Sequence, residues 1–293
     1  MRVLVTGARG FVGYSIVQYL LAYTEYSIFY QKRPYKENDR LRSVDRIIEW
    51  RGEAVDIIIH AAGNADSYSC IHNPGQALQD NVTETFNMLE IAKTVGVTHF
   101  VYISSVEVYG KSGVCFEDSE CRAMNMYAAT KHAGEQLCRA YHNSYGVPCS
   151  IVRLNNTFGA GCQPERLPVL AIKKLLGGEK FTFYTDEDGS VIKRCWTPIV
   201  DVSDMVYFIL TRRPPGETYN LTSNYISNLE LVQCIARAMG IETFEYELSR
   251  ETTKGRVGSQ HAPSDYIQGL GWRPKESFEY RIKEFVVSQL KDA

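Results

Sequence analysis

One Tyr-x-x-x-Lys, Tyr127-Ala-Ala-Thr-Lys131, lies downstream of a glycine-rich stretch near the start of the chain, Thr6-Gly7-Ala8-Arg9-Gly10-Phe11-Val12-Gly13. A tyrosine hydroxyl, with a pKa near 10, is a poor base at neutral pH. A lysine four residues later shares its helical face, and the ammonium favours the phenolate. Ser104-Ser105 ends the apolar run His99–Ser104, and Ser105 can share a substrate hydroxyl with the phenol. Such a trio takes a proton from an alcohol while a hydride leaves for a dinucleotide. The spacing alone carries little, since 19 tyrosines would meet a lysine at this distance by chance. Its weight comes from position.

The glycines supply that position. Gly7, Gly10 and Gly13 stand at G-x-x-G-x-x-G after a strand and at a helix start. The first permits a tight turn, the second admits a pyrophosphate to the backbone, and the third lets helix and strand pack closely. The helix N-terminal amides, those of Phe11 and Val12 among them, then meet the anion. The competing readings are a purely structural glycine turn and a surface Tyr/Lys pair at no site. At the end of the second strand, where an acid would hold the ribose 2′-hydroxyl of NAD, stand Gln31, Lys32 and Arg33. Two cations suit a 2′-phosphate and favour NADP; a solvated basic loop is the other reading.

The elements that must hold these groups follow from periodicity. Val3–Thr6, Ser27–Gln31, Val55–His60, His99–Ser104 and Pro148–Leu154 read as strands. Helical spacing follows the glycine turn and continues over Pro74–Val95 and Asn125–Tyr145. The alternation predicts an α/β, doubly wound parallel sheet of Rossmann type. Lys36 to Asp56 is short for another full strand-helix unit, so the adenine side is expected to be trimmed. Beyond Asn156 the alternation loosens into a helix (167–176), a strand (180–184), a strand-helix unit (195–210), a strand (219–222) and helices over 228–239 and 278–290. The expected division is a dinucleotide-binding domain over 1–154 with about 195–212, and a smaller substrate lobe over 155–194 and 213–293.

The bulk numbers exclude several classes. With 293 residues, 44% hydrophobic and 23% charged, the chain reads as globular. A formal charge of −2 gives no electrostatic reason to expect nucleic acid. No apolar run approaches the roughly 18–20 residues of a membrane span, and the first strand follows the initiator with no room for a signal peptide. The eight cysteines lack metal-ligand spacing, which predicts free thiols, no metal and a cytoplasmic location.

Taken together, the motifs resemble the extended short-chain dehydrogenases/reductases of the NAD-dependent epimerase/dehydratase family acting on nucleotide sugars. The matching pieces are the glycine turn, Asp56-Ile-Ile-Ile-His60-Ala61-Ala62, Asn81-Val82, Ser104-Ser105-Val-Glu107-Val-Tyr109-Gly110, Tyr127-x-x-x-Lys131 and Arg153-Leu-Asn-Asn156-Thr-Phe-Gly159. Arg194 with Val200-Asp201-Val202, Tyr219-Asn220-Leu221 and Leu270-Gly271-Trp272-x-Pro274 follow in order. The resemblance implies a catalytic set of Ser105, Tyr127 and Lys131. It implies Ala61, Ala62, Gly63, Asn81 and Ser104 beside the cofactor, NAD or NADP. Asn156, Arg194 and Arg256 would bind a nucleotide-diphosphate sugar. Dimerisation through the helices of Pro74–Val95 and Asn125–Tyr145 is implied too. The family's usual aspartate before Leu-Gly-Trp falls here on Ala262.

Such enzymes first oxidise the sugar at C4. Glu107 stands where the 4,6-dehydratases and sugar-nucleotide decarboxylases of the family carry a glutamate, which in the dehydratases removes the C5 proton. Val106 stands where those dehydratases carry the acid for the departing C6 hydroxyl, and a valine cannot protonate anything. Cys162 or Asp66 could replace that acid, and Glu107 could instead be a loop-capping residue. A 4-epimerase needs only the Ser/Tyr/Lys set. The open readings are thus 4-epimerase and 4,6-dehydratase, then decarboxylase or 4-keto reductase, and in another class a cofactor-binding sensor or scaffold.

Overall fold

A computed structural model describes residues 1–31, 47–250 and 257–291. The strands are β1 (Arg2–Thr6), β2 (Ser27–Tyr30), β3 (Ile47–Glu49), β4 (Ile57–His60), β5 (His99–Ser105), β6 (Gly113–Val114), β7 (Cys149–Leu154), β8 (Asn156–Phe158), β9 (Phe181–Thr185), β10 (Lys193–Pro198), β11 (Thr218–Leu221), β12 (Asn224–Ser227), β13 (Tyr246–Arg250) and β14 (Gln260–His261). The α-helices are α1 (Phe11–Tyr23), α2 (Ser67–His72), α3 (Pro74–Leu78), α4 (Glu84–Val95), α5 (Met126–Tyr145), α6 (Leu167–Gly177), α7 (Ile199–Arg212), α8 (Asn228–Ala238), α9 (Asp265–Gly269) and α10 (Phe278–Lys291).

Seven parallel strands form the central sheet in the order β11-β7-β5-β4-β1-β2-β3. The chain winds outward from β1 through β2 to β3, then returns to β4 and winds the other way. The crevice at this reversal is where such sheets bind ligands. Because alternate side chains on a strand face opposite ways, each strand feeds two cores. Val3, Val5, Ile57, Ile59, Val101 and Ile103 pack under α1 and α7. Leu4, Ile58, Phe100 and Tyr102 pack under α4 and α5. Burying each such large apolar side chain contributes about 1.5–3 kcal/mol. The expected strands all form, and the doubly wound fold class holds.

Three differences bear on the site. The stretch Pro74–Val95 is not one regular helix: a π-helical turn, Gln79–Thr83, joins α3 to α4 and carries Asn81. The trimmed segment before Asp56 still supplies a three-residue strand, β3, beside β2. And β11, assigned by sequence to the smaller lobe, pairs in parallel with β7 at the sheet edge. A four-residue apolar strand carries no local mark of the sheet it joins. The remaining strands form a small sheet, β12-β10-β8, and the pairs β9/β13 and β6/β14. Helix α7 returns to the central sheet, where Ser203 Oγ lies 2.9 Å from Ser15 Oγ of α1.

Candidate active site

The glycine turn is built as its spacing requires. Gly7 has a φ of +66° and its carbonyl accepts from Gly10 N at 2.8 Å. A Cβ on Gly7 would lie 2.7 Å from Ala62 N, and one on Gly13 only 2.3 Å from Gly7 O. Side chains at either position would push β1, α1 and the segment after β4 apart. Helix α1 starts at Gly10 with no side chain capping it, so its first amides remain available for an anion. This cradle fits the pyrophosphate of a dinucleotide. Phe11 is buried and Val12 half-buried in the first turn.

Below the turn, buried polar groups fix the segment that follows β4. Thr6 Oγ1 accepts from Ala62 N at 3.1 Å and pairs with His60 Nδ1 at 2.8 Å. His60 Nε2 reaches Thr85 Oγ1 at 3.1 Å, and Thr85 donates to Asn81 O at 2.7 Å. The Asn81 side chain accepts from Asn64 N at 2.7 Å and donates to Asn64 O at 3.0 Å and Thr130 Oγ1 at 2.9 Å. It thus pins residues 61–64 to α5. A Cβ on Gly63 would strike Asn81 Oδ1 at 2.6 Å, which explains a glycine there. Asn81 thus holds the segment that carries Ala61, Ala62 and Gly63.

Tyr127 and Lys131 project from the first turns of α5, both buried. Lys131 Nζ donates to Ile103 O at 3.0 Å and lies 5.2 Å from the centre of the Tyr102 ring. Burial lowers its pKa to about 8. Burial and the Glu107 charge push the Tyr127 phenol up, while Ser105 and Arg166 favour the phenolate. Ser105, at the end of β5, is close enough to Tyr127 to act on it through its side chain, and Lys131 is bound to the carbonyl of Ile103, two residues before Ser105 on the same strand. Cys70, fully buried, packs against Tyr127.

Glu107 sits in a 3-10 turn, Val106–Tyr109, capped by Ser105 Oγ, which accepts from Glu107 N at 3.2 Å. Its carboxylate accepts from Asn125 Nδ2 at 3.1 Å. Val106 packs with Tyr109, Cys115 and Ala262. Cys162 is buried in the main apolar core, and the Asp66 carboxylate caps α2 by accepting from Tyr68 N at 3.0 Å.

Ser104 does not present its hydroxyl to the turn. It donates to Glu135 Oε1 at 2.6 Å. Glu135 also accepts two bonds from Arg153, at 2.9 and 2.7 Å, and both side chains are buried. Burial opposes this charge, but Arg153 and its partners hold the carboxyl at about 2. Cys121, His132 and Glu135 place a sulfur, a nitrogen and an oxygen within 4.8 Å of one another. Glu135 is already committed to one guanidinium, with that of Arg139 3.8 Å away, and two guanidinium charges oppose a metal cation there.

In the smaller lobe Asn156 opens β8, paired with Trp196 of β10. Arg194, on β10, donates to Gly258 O at 2.7 Å and Val257 O at 2.8 Å, so its guanidinium holds backbone. Gln31 follows β2. Lys32, Arg33 and Arg256 lie outside the described residues. Three contributors escaped the sequence reading: Asn125, Arg166 and the Glu135–Arg153 pair. The Tyr127–Lys131–Glu135 spacing could have flagged Glu135, since all three recur at one helical interval.

Known proteins are similar to this chain over nearly its whole length. A dTDP-glucose 4,6-dehydratase of Haemophilus influenzae is 28% identical over 330 residues, covering 98% of this chain and 97% of the relative. The solved structure of DesIV, a dTDP-glucose 4,6-dehydratase from Streptomyces venezuelae with NAD bound, is 27% identical, with a TM-score of 0.86 over 100% of this chain and 98% of that one. A Bacillus cereus UDP-glucuronic acid 4-epimerase shares the fold, with a TM-score of 0.87 at 22% identity and 100% coverage of both chains. A model of the NAD dependent epimerase/dehydratase family matches residues 3–222. The chain belongs to that family.

Proposed function

We propose that this enzyme transiently oxidises C4 of a nucleotide-diphosphate sugar, with NAD or NADP as the hydride carrier, and that the reaction ends as a 4-epimerisation. The pairing of Ser105 with Tyr127, with Lys131 one turn along the same helix and held to β5, together with the uncapped start of α1, carries the reading. Tyr127 would take the C4 hydroxyl proton, Ser105 would hold that hydroxyl, and the Lys131 ammonium would favour the phenolate. A bound oxidised nicotinamide would accept the hydride and add positive charge beside the phenol. Asn156, at the start of β8, would face the nucleotide diphosphate, next to β10, whose Arg194 guanidinium holds the 257–258 backbone.

The ending rests on Val106. Its buried hydrocarbon offers no proton to a departing C6 hydroxyl, while the Cys162 thiol is buried in the main apolar core and the Asp66 carboxylate is engaged in capping α2. The second reading is a 4,6-dehydratase, favoured by Glu107, whose charge reaches Tyr127 and whose carboxylate is held by Asn125. The dehydratase relatives favour it also.

Incubation with UDP-, dTDP-, GDP- and CDP-hexoses, read by NMR, separates the endings. An epimer supports the first reading; a 4-keto-6-deoxy sugar supports the second; carbon dioxide release or a reduced keto sugar would replace both. Cofactor binding with no turnover of any donor would leave a sensor or scaffold. Glu107→Gln leaves epimerisation intact in the first reading. In the second it abolishes elimination while C4 hydride exchange persists. Tyr127→Phe should stop all turnover and leave cofactor bound.

A homodimer through α4 and α5 fits the exposed Phe86 and Tyr145, which flank Tyr141 on one apolar strip. Light scattering tests it. A cytoplasmic location fits eight free cysteines, and among the described residues no helix is long and apolar enough to cross a membrane.

A further inference from the structure

We propose that Asn220 is a positioning residue for the reaction, acting through the Tyr109 hydroxyl on the turn that sets the Ser105 side chain. This rests on the reading of Ser105 as the group that holds the reacting sugar hydroxyl.

Ser105 ends β5, and its Oγ caps the 3-10 turn Val106–Tyr109 by accepting from Glu107 N at 3.2 Å. The placement of that oxygen therefore depends on the turn. A 3-10 turn has poorer hydrogen-bond geometry than an α-helix, so what it packs against matters to its shape. Val106 and Tyr109 are buried against Cys115 and Ala262. The Arg153 guanidinium lies 4.7 Å over the Tyr109 ring. The Tyr109 hydroxyl donates to Asn220 Oδ1 at 2.8 Å. Burial pushes this phenol well above its ordinary value, so it stays a donor.

Asn220 is fully buried on β11, opposite Arg153 of β7. Its side-chain nitrogen donates to two carbonyls, Cys115 O at 3.1 Å and Pro263 O at 3.3 Å. Those acceptors fix which end of the amide is oxygen, and that oxygen can only receive a proton from Tyr109. Its backbone N–H donates to Glu117 Oε1 at 2.9 Å. One residue of the sheet edge thus holds the turn after Ser105, the stretch 115–117 on the way to Asn125 and Tyr127, and the segment after β14. Packing alone would not need the Tyr109 oxygen, because a phenylalanine ring fills the same space under Arg153. The hydroxyl adds direction.

Turnover is measured on whichever of the UDP-, dTDP-, GDP- and CDP-hexoses the unsubstituted chain converts, beside dinucleotide affinity and thermal midpoint. Tyr109→Phe should lower kcat about tenfold and change KM and the dinucleotide Kd by less than about threefold. Asn220→Ala should do the same. The double variant should be no slower than the slower single, because both cut one route. Asn220→Asp separates this role from folding. It keeps an acceptor for the Tyr109 hydroxyl but loses the amide donor to Cys115 O and Pro263 O. Its thermal midpoint should therefore fall while kcat stays within about threefold of the unsubstituted value. If Asn220→Ala does not fold, Tyr109→Phe and Asn220→Asp carry the comparison. Unchanged kcat in Tyr109→Phe overturns the positioning role and leaves the reading of Ser105 standing. So do additive losses in the double variant, or a kcat of Asn220→Asp that falls in step with its stability. No turnover of any donor by the unsubstituted chain overturns the reading of Ser105 and the role with it.

Discussion

Asn125 donates its side-chain amide to Glu107 Oε2 at 3.1 Å while its side-chain oxygen accepts from Ala128 N at 2.9 Å. One residue thus ties the Glu107 carboxylate to the first turn of the helix carrying Tyr127 and Lys131. The oxygen half of this bridge is an ordinary N-cap. The amide half is not needed for the helix, and serine or aspartate would cap equally well. What it adds is a donor that holds the Glu107 carboxylate in place beside the helix carrying the phenol.

Asn125→Ser separates the two halves. The cap survives, so stability should change by less than about 0.5 kcal/mol. Losing one hydrogen bond to a carboxylate, about 1.5 kcal/mol, should slow any step that uses Glu107 as a base about tenfold. C5 proton exchange with deuterated solvent, measured on the donor the enzyme turns over, reads that step. Unchanged exchange would mean that Asn125 does not serve Glu107.

Lys131 makes a prediction about stability. Its pKa of about 8 lies below the lysine value of 10.5 because burial disfavours the ammonium. Between these values the unfolded chain binds a proton that the folded chain does not, so stability rises with pH across the window. Below about 8 the buried charge is fully present and costs on the order of 3 kcal/mol. Lys131→Met should therefore abolish turnover yet raise the thermal midpoint at pH 7. The gap to the unsubstituted protein should narrow as pH climbs from about 8 toward 10. A less stable methionine variant at pH 7 would show that the bond to Ile103 O outweighs desolvation.

Gly63→Ala tests the Asn81 clamp. The added Cβ would meet Asn81 Oδ1 at 2.6 Å, at a φ of +144° that an L residue rarely adopts. Dinucleotide affinity should fall at least about tenfold as residues 61–64 shift. Asn81→Ala should mimic it by releasing the same segment. Wild-type affinity in both would remove the clamp from the cofactor site.

The glycine turn, the Tyr/Lys pair and the strands were legible because each rests on spacing along one segment. The φ of Gly7 and the crowding at Gly13 are local demands that only glycine meets. The π turn at Asn81 was not legible: a shifted hydrogen-bond ladder leaves the apolar spacing of Pro74–Val95 almost intact. Nor was β11, since strand pairing is decided between distant segments. Arg194 shows another limit. An arginine at a motif position can spend its guanidinium on backbone, as it does on residues 257 and 258. The direction of the Ser104 hydroxyl likewise depends on Glu135, 31 residues away.

That buried carboxylate supports the last prediction. Glu135 takes both Arg153 bonds and the Ser104 hydroxyl, and Arg153 also donates to Glu117 O at 3.0 Å and lies 4.7 Å over the Tyr109 ring. Removing one partner of such a pair strands the other charge in a medium that solvates it poorly. Glu135→Gln should cost about 3–5 kcal/mol at pH 7 by denaturant titration. Replacing both partners, Glu135→Leu with Arg153→Met, should recover much of that loss, because no unpaired charge remains. The pH dependence follows from the sign. The folded carboxyl, at about 2, lies below its ordinary value of 4.5, so its stabilisation is complete above about 4.5 and drains away as pH falls toward 2. The double variant should therefore lose this component of acid sensitivity. If it unfolds in acid as steeply as the unsubstituted protein, other carboxylates govern the acid limb. Ser104 precedes Ser105, so the double variant should also bind cofactor normally yet turn over more slowly, as the end of β5 loses its anchor to α5.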